Sequence, residues 1–269
     1  MKIATYFAVW LFTWDDEIDL NDSTMWKEFG AAQVYRDQTL AYVRYTLGID
    51  KDRPEVSNRI ILNFAPIGAA LMKAYTLDQR KLVYEEVRFF MEMSEHEQRL
   101  RLSGAIPSIE EFWHFRLGSS AVNVCVVMNE FTWKETSSLP LEFYSDGDVK
   151  ELMKYTNTIV SATNDLVSVK KEVKRGATDS LLPITFFRVG DVQMAVSEIV
   201  AFIASEIKNM DELVASLFHR YESADENMKR MVKDYVDCCK HYVTGNWEWS
   251  LKSNRYGVDF VDGEVILKL

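Results

Sequence analysis

Proline and glycine are scarce in this chain, which has 5 prolines and 11 glycines among 269 residues. A β-sandwich or β-barrel uses both residues in its many turns, so their scarcity favours long helices with short connections. No stretch shows sustained alternation of apolar and polar residues, and no internal repeat or linker divides the chain. We therefore expect an all-α fold, organised as one domain over residues 1–269.

Cysteine and histidine are also few. Cys125, Cys238 and Cys239 are an odd number and include an adjacent pair, so they do not form a disulfide framework. The four histidines give no zinc-binding pattern. The motifs of nucleotide hydrolysis, serine hydrolysis and zinc proteolysis are absent as well. The cysteine usage predicts a reducing, cytoplasmic setting.

The chain has few positive charges, because 31 Lys and Arg residues are outnumbered by 41 Asp and Glu residues. The net charge is −10. Such a chain repels nucleic acid and anionic membrane surfaces, so neither is expected as a partner. The apolar run near the N-terminus spans about ten residues, too few to cross a bilayer, and acids follow it at once. No membrane insertion is expected.

The order of apolar, capping and breaking residues predicts a series of helices. The first helix is apolar almost all round and is expected to be buried. Asp22 and Ser23 are candidate caps for the second, Pro66 predicts a kink or break in the third, and residues 118–120 (GSS) predict a break in the fifth. The expected helices are residues 2–20, 22–47, 55–75, 77–102, 107–131, 148–175, 191–222 and 224–250, with a short helix from Leu181.

Asn164, Ser168 and Glu172 lie four residues apart in the helix expected over 148–175. Eight helical residues turn only about 80° past two full turns, so these three side chains share one face. Amide, hydroxyl and carboxylate oxygens are hard ligands of the kind that Mg²⁺ prefers. Neighbouring lysines, among them Lys171, favour a metal–phosphate site over a metal-only site. The alternative is a polar helix face with a Lys171–Glu172 surface pair.

Asp15, Asp16 and Asp19 form an acidic cluster at the end of the first helix. Like charges at positions i and i+4 repel each other, and the C-terminal end of a helix disfavours anions. A compensating cation explains such a cluster, and a solvated helix end is the alternative. If the two clusters stand on facing helices, Mg²⁺ ions between them are completed by water and by a ligand that carries phosphates.

Scattered cations and aromatic residues accompany the two clusters. Arg116 precedes the expected helix break, and Arg255 and Tyr256 follow the last long helix. Arginine presents a fork of donors that matches phosphate oxygens, although each of these residues taken singly is also typical of a surface ion pair. Aromatic rings near the clusters are candidates for a pocket wall that stabilises a cation, with core packing as the alternative. These rings are Phe12, Phe89, Phe90, Trp113, Phe115, Trp247 and Trp249.

Together the motifs resemble those of class I terpene synthases, the terpene cyclases. Residues 15–19 (DDEID) match the DDxxD motif, and residues 164–172 (NDLVSVKKE) match the second metal motif, NDxxSxxKE, at every defined position. Arg255 and Tyr256 match the C-terminal RY pair of the microbial members. Residues 107–116 resemble the stretch that holds the diphosphate-sensing arginine. The order and separation of the motifs agree over nearly the whole chain, which looks most like fungal and bacterial sesquiterpene synthases.

The resemblance implies an all-α terpenoid-synthase fold and a Mg²⁺-dependent enzyme. It implies ionisation of a prenyl diphosphate, with farnesyl diphosphate as the expected substrate, followed by release of diphosphate and cyclisation to a sesquiterpene. It also implies three Mg²⁺ ions. Their ligands are Asp15, Asn164, Ser168 and Glu172, with Asp16 and Asp19 as less direct members of the cluster. The residues that hold the diphosphate are Arg116, Lys171, Arg255 and Tyr256. The catalytic set is Asp15, Arg116, Asn164, Ser168, Glu172, Arg255 and Tyr256.

The chain departs from the family pattern in two places. Ser119 and Ser120 stand where the family has its helix-break linker and effector residues, often an acid and a glycine. The aspartate cluster begins at residue 15, whereas the family normally has tens of residues before it, so we expect an N-terminally truncated chain.

Two other functions stay open at this point. A prenyl-chain-elongating transferase of the same fold is the first, but that class carries two aspartate-rich motifs, and here the second motif is Asn/Ser/Glu. A non-catalytic helical paralogue is the second. A homodimer is also left open.

Overall fold

The computed structural model of the chain describes residues 2–20, 23–132, 139–261 and 264–266. Within these ranges the chain is almost entirely helical, which confirms the all-α prediction. None of the helices there is long and apolar enough to cross a membrane. The α-helices, α1 to α13, are Lys2–Asp19, Thr24–Lys27, Phe29–Thr46, Arg59–Leu62, Ala65–Ala74, Leu77–Ser103, Ile109–Ser119, Val122–Val126, Leu141–Ser145, Gly147–Arg175, Leu181–Val189, Val192–Arg220 and Glu226–Lys252.

Two short features add to the helices. A 3₁₀-helix spans Asn129–Thr132. Near the C-terminus, strands β1 (Asp259–Val261) and β2 (Glu264–Ile266) pair in antiparallel orientation. Neither strand was expected from the sequence, because three residues are too few to show an alternating pattern.

The expected second helix is divided into α2 and α3. The chain leaves helical geometry at Glu28, where φ is −96° and ψ is 83°. Ser23 caps α2, with its hydroxyl oxygen accepting a hydrogen bond from the Met25 backbone N–H at 3.1 Å. The other candidate cap, Asp22, lies outside the described residues.

The expected third helix, 55–75, is likewise divided, into α4 and α5. It begins later than expected because Asn58 acts as the cap and accepts from the Ile60 backbone N–H at 2.8 Å. Pro66 stands in the first turn of α5, where its missing N–H costs no helical hydrogen bond. Of the two predicted outcomes, a kink or a break, the structure shows a break, and Pro66 lies just after it, at the start of α5.

Helix α1 is not buried all round, so that expectation was wrong. Its inner face packs against α4 and α5, and the Trp14 indole N–H donates to the Thr39 hydroxyl at 2.9 Å. No described helix covers its outer face, where Val9 is 61% exposed. The buried side chains of α1 are Phe7, Trp10, Trp14 and Ile18, spaced by three and four residues. The exposed ones include Tyr6, Val9 and Phe12.

Helix α10 is the centre of the molecule. It packs against α7, α8, α9, α11, α12 and α13, and it contributes to both hydrophobic clusters of the fold. Ile159 belongs to the larger cluster, whereas Ala162, Leu166 and Val169 pack in a second one around Phe112. Gly176, with φ of 77°, ends the helix in the left-handed conformation that glycine adopts without strain. Side chains on α10 are thus held on a rigid element.

Candidate active site

A cavity of about 550 Å³ lies between α1, α6, α7, α10 and α13. Along α1 its lining changes from Leu11 to Asp15 and Asp19, and along α10 it changes from Val160 to Glu172. The C-terminal parts of these helices therefore form a polar end of the cavity, and their earlier turns form an apolar end. A cavity of this size is typical of a small-molecule site.

The polar stripe of α10 faces the cavity. Asn164, Ser168 and Glu172 all line it, in the register expected from their spacing. The Ser168 hydroxyl donates to Glu172 Oε1 at 2.6 Å, and the Asn164 amide donates to the Tyr256 hydroxyl at 2.9 Å. Glu172 Oε2 is buried, and no donor among the described residues bonds it. A hard divalent cation fits this donor set, because a buried carboxylate oxygen needs a partner.

The three aspartates of α1 point to different partners. Asp15 lines the cavity. Asp16 pairs with the Arg255 guanidinium, with oxygen–nitrogen distances of 3.1 and 3.3 Å. Asp19 accepts from Arg101 at 3.2 Å. Among the described residues, Asp15 therefore lines the cavity without an ion pair to an arginine, whereas Asp16 and Asp19 each have one.

Two carboxyl groups on opposite walls resist ionisation. Burial, followed by the charge of Asp19, raises the pKa of Asp15 to about 7. Burial, followed by the charge of Asp165, raises the pKa of Glu172 to about 7 as well. A cation between the walls would reverse both effects, since an opposite charge favours the ionised form. This is a second indication that the polar end suits a metal ion.

The acids alone do not make a metal site. In the part of the chain that the structure describes, no three His, Cys, Asp or Glu side chains are grouped to hold an ion. Asp16 and Asp19 are engaged by arginines, and the stripe of α10 offers one carboxylate beside an amide and a hydroxyl. Binding of a metal at this site therefore depends on neutral oxygens and on oxygens from water or a ligand.

Arg116 lies at the polar end on α7. Its Nη2 donates to Asp165 Oδ1 at 2.5 Å and to Asn164 Oδ1 at 3.2 Å, whereas its buried Nε meets no hydrogen-bond acceptor within the described ranges. Burial works against its charge, but Asp165 and Glu97 outweigh burial and raise the pKa of Arg116. The guanidinium thus stays charged, with donor capacity left for an anion.

Lys171, Arg255 and Tyr256 line the same end of the cavity. The neighbouring Lys170 donates to the Gly257 carbonyl at 3.2 Å, which ties the segment after α13 to α10. The structure thus brings all the sequence-predicted site residues except Asp16 to the cavity wall, and Asp16 contacts the wall through Arg255.

Aromatic rings continue from the polar end toward the apolar end. Trp249 packs edge-on against Tyr256 at 5.8 Å and stacks on Phe12 at 5.4 Å between ring centroids. The Arg255 guanidinium lies 5.1 Å from the centroid of Phe12. The aromatic residues that line the cavity, besides Tyr256, are Phe12, Trp26, Phe90, Phe112, Tyr242 and Trp249. Of the candidates from the sequence, Trp113 packs on Phe202 instead, and Trp247 is 39% exposed.

The expected break in the fifth helix is confirmed. Helix α7 ends at Ser119, and α8 begins at Val122. Ala121 has φ of 55°, a left-handed conformation that costs a residue with a Cβ about 1–3 kcal/mol. At Gly118 a Cβ would lie 2.3 Å from Met93 Cγ, so glycine permits α7 to approach α6 closely. Surrounding contacts must hold this strained break.

Sequence reasoning missed several polar residues of the site. Asp165 is buried and bonds both Arg116 and the Leu181 backbone N–H, the latter at 3.0 Å. Arg101 bonds Asp19 and lies 4.0 Å from Asp179. Burial, with the charges of Asp19 and Asp179, raises the pKa of Glu97 to about 8. Glu97 and Arg101 are four residues apart, which in sequence resembles an ordinary surface pair, whereas the position of Asp165 within the second motif was a usable signal.

Comparison with known proteins places these observations in a family. Residues 6–209 match the model of terpene synthase family 2, C-terminal metal binding. The chain is 31% identical over 267 residues to the sesquiterpene cyclase hepA of Aspergillus oryzae, covering 96% of this chain and 72% of that protein. It is 24% identical to the pristinol synthase of Streptomyces pristinaespiralis, covering 98% of this chain and 71% of that one.

Solved structures show the same fold at lower identity. A cucumene synthase variant aligns with a TM-score of 0.77 at 19% identity, covering 94% of this chain and 81% of that one. Germacradien-4-ol synthase from Streptomyces citricolor aligns with a TM-score of 0.75 at 16% identity, covering 93% of this chain and 78% of that one. The family model covers most of the chain, and the relative from A. oryzae matches nearly all of it. The chain therefore belongs to the class I terpene synthases, a family of metal-binding, all-α lyases.

Proposed function

We propose that this enzyme is a Mg²⁺-dependent sesquiterpene cyclase that ionises farnesyl diphosphate, releases diphosphate and cyclises the resulting cation. The observation that carries the proposal is the polar end of the cavity, where the oxygen stripe of α10 faces Asp15 and Arg116 beside an apolar, aromatic remainder. The name of the relative from A. oryzae, a sesquiterpene cyclase, supports the substrate class.

The residues present fit Mg²⁺ as the metal. Asp15, Asn164, Ser168 and Glu172 offer hard oxygen ligands, and Glu172 Oε2 accepts no hydrogen bond from the part of the chain that the structure describes. Asp16 and Asp19 would act less directly, since arginines hold them. When bound, Mg²⁺ supplies electrostatic stabilisation of the departing diphosphate. We propose three ions, as the family resemblance implies.

Four side chains would bind the diphosphate: Arg116, Lys171, Arg255 and Tyr256. Arg116 and Arg255 are already held by Asp165 and Asp16, at nitrogen–oxygen distances of 2.5 and 3.1 Å. Holding the donors in place before the substrate arrives reduces the entropy lost on binding. Their charge then stabilises the negative charge that develops as the carbon–oxygen bond breaks.

The apolar end would receive the farnesyl cation. Phe12, Phe90 and Trp249 present rings to the cavity, and ring faces attract cations in a site that excludes water. Ring closure is followed by loss of a proton, for which we propose the released diphosphate as the acceptor. The balance is then one C₁₅ hydrocarbon and one protonated diphosphate from each farnesyl diphosphate.

The direct test is incubation of the purified protein with geranyl, farnesyl or geranylgeranyl diphosphate and Mg²⁺, followed by gas chromatography with mass spectrometry. We expect cyclic C₁₅ products from farnesyl diphosphate, and none after chelation with EDTA. Absence of terpene products from all three substrates would reject the proposal and favour a non-catalytic paralogue. Longer prenyl diphosphates formed only with added isopentenyl diphosphate would identify a chain-elongating transferase instead.

A further inference from the structure

The polar stripe of α10 extends two turns beyond the metal motif, to Asn157. This side chain is fully buried, and its amide uses all of its hydrogen-bonding capacity. The amide nitrogen donates to the Leu117 carbonyl at 2.7 Å and to Asn123 Oδ1 at 3.0 Å. The amide oxygen accepts from the hydroxyls of Ser120 at 2.8 Å and Ser161 at 3.0 Å. Such complete satisfaction fixes the orientation of the amide.

Three of these four partners belong to the junction between α7 and α8. Leu117 lies before the break, Ser120 lies in it, and Asn123 lies in the first turn of α8. Ser120 also accepts from the Val122 backbone N–H at 3.3 Å. One side chain of α10 therefore contacts the break on both sides.

This break needs an external support. Ala121 adopts φ of 55°, in the small region that a residue with a Cβ rarely enters. Strained conformations of this kind persist only where the surroundings over-determine them. The hydrogen bonds of Asn157 to Ser120 and Asn123 flank Ala121 and meet that requirement.

The support lies next to the diphosphate-binding arginine. Arg116 immediately precedes Leu117, and it bonds Asp165, eight residues after Asn157 and about 12 Å further along α10. Helix α7 is thus attached to α10 at two levels, by Asn157 and by the Arg116–Asp165 pair. Loss of the hydrogen bonds of Asn157 would make the C-terminal end of α7, which carries Arg116, more mobile.

We propose that Asn157 is a positioning residue of this enzyme. It holds the α7–α8 break in place and thereby directs Arg116 to the polar end of the cavity. Asn157 acts through Arg116, so this role rests on the proposed function in one respect, the binding of diphosphate by Arg116. The support of the break itself is independent of any ligand.

The experiment compares Asn157→Ala with Thr156→Val in the full chain. Thr156 is the adjacent residue of α10, is fully buried, and donates to the Leu152 carbonyl within its own helix at 2.8 Å. The first measurement is hydrogen–deuterium exchange of residues 117–123. Because Asn157→Ala removes four hydrogen bonds, one to the buried Ser161 and three to half-buried groups of the break, we expect about tenfold faster exchange there, and no change in Thr156→Val.

The second measurement is the affinity for inorganic diphosphate with Mg²⁺, by calorimetry. We expect Asn157→Ala to weaken it about tenfold, and to cause no further loss in an Arg116→Ala background, because non-additivity indicates action through the shared residue.

Adding Ala121→Gly to Asn157→Ala should slow the hydrogen–deuterium exchange of residues 117–123 again, since glycine adopts the left-handed conformation freely. If Asn157→Ala does not fold, Asn123→Ala removes one of the four bonds and should change both measurements in the same direction.

Exchange of residues 117–123 at the wild-type rate in Asn157→Ala would overturn the proposal. So would a loosened break with unchanged diphosphate affinity. Failure of the wild-type protein to bind diphosphate would reject the proposed function and the role toward Arg116 together, whereas the exchange measurement would still decide whether Asn157 supports the break.

Discussion

The two walls of the polar end, on α10 and on α1, are built differently. Helix α10 is surrounded by other helices, and its oxygens are fixed by short bonds such as Ser168 to Glu172 at 2.6 Å. Helix α1 has its buried side chains on one face, and arginines from elsewhere in the chain hold Asp16 and Asp19. One wall is positioned by a rigid helix, and the other is positioned by charge compensation. Changes on α10 should therefore have larger and more uniform effects than changes on α1.

The largest effect is expected from Glu172→Gln. It keeps the shape of the side chain but removes the one charge of the α10 stripe, and loss of a preorganised electrostatic group costs about 10²–10³ in kcat. Steady-state turnover of farnesyl diphosphate measures this loss, and circular dichroism checks that the fold is intact. Glu151→Gln is the matched control, because Glu151 lies on the same helix in a surface pair with Lys154. Equal activity of both variants would contradict the ligand assignment.

Substitutions of Asp15 and Asp16 on α1 should have different kinetic effects. Asp15 faces the cavity, so Asp15→Asn should lower kcat/KM about 100-fold. Asp16 acts through Arg255, and both side chains are partly exposed. Asp16→Asn should therefore raise KM about tenfold with little change in kcat, because it removes one charged hydrogen bond. Kinetics over a range of farnesyl diphosphate concentrations distinguishes the two patterns. The opposite order of effects would mean that Asp16, and not Asp15, is the metal ligand on α1.

The smallest effect is expected on the outer face of α1. Val9 is 61% exposed, so Val9→Ser should change the free energy of unfolding by less than about 0.5 kcal/mol. Trp14→Ala on the inner face is the comparison, with an expected loss of about 3–5 kcal/mol because that indole is fully buried. Urea denaturation measures both. A large loss from Val9→Ser would show that this face is packed in solution.

Features encoded within one helix could be predicted from the sequence, and features made by distant residues could not. The register of Asn164, Ser168 and Glu172 follows from spacing alone, and the break at residues 118–120 follows from a run of small residues. Three of the four contacts of Asn157 join residues 34 to 40 positions apart, and nothing local indicates them. The Asp16–Arg255 pair spans 239 positions.

The error on α1 has a similar cause. An apolar composition predicts burial, but burial requires a neighbour on every face, and composition does not supply one. The assignment of residues 1–269 to one domain stays a prediction.

The central claim is that the oxygen stripe of α10 binds a metal–diphosphate ligand, and thermal unfolding with Mg²⁺ and inorganic diphosphate tests it most directly. At a ligand concentration of 100 Kd, the native state gains about 2.7 kcal/mol. That gain corresponds to a rise in Tm of roughly 5–10 °C for a chain of this size. We predict this rise for the wild-type protein only when both components are present, and no rise for Glu172→Gln. An equal rise in Glu172→Gln, or none in the wild-type protein, would contradict the account.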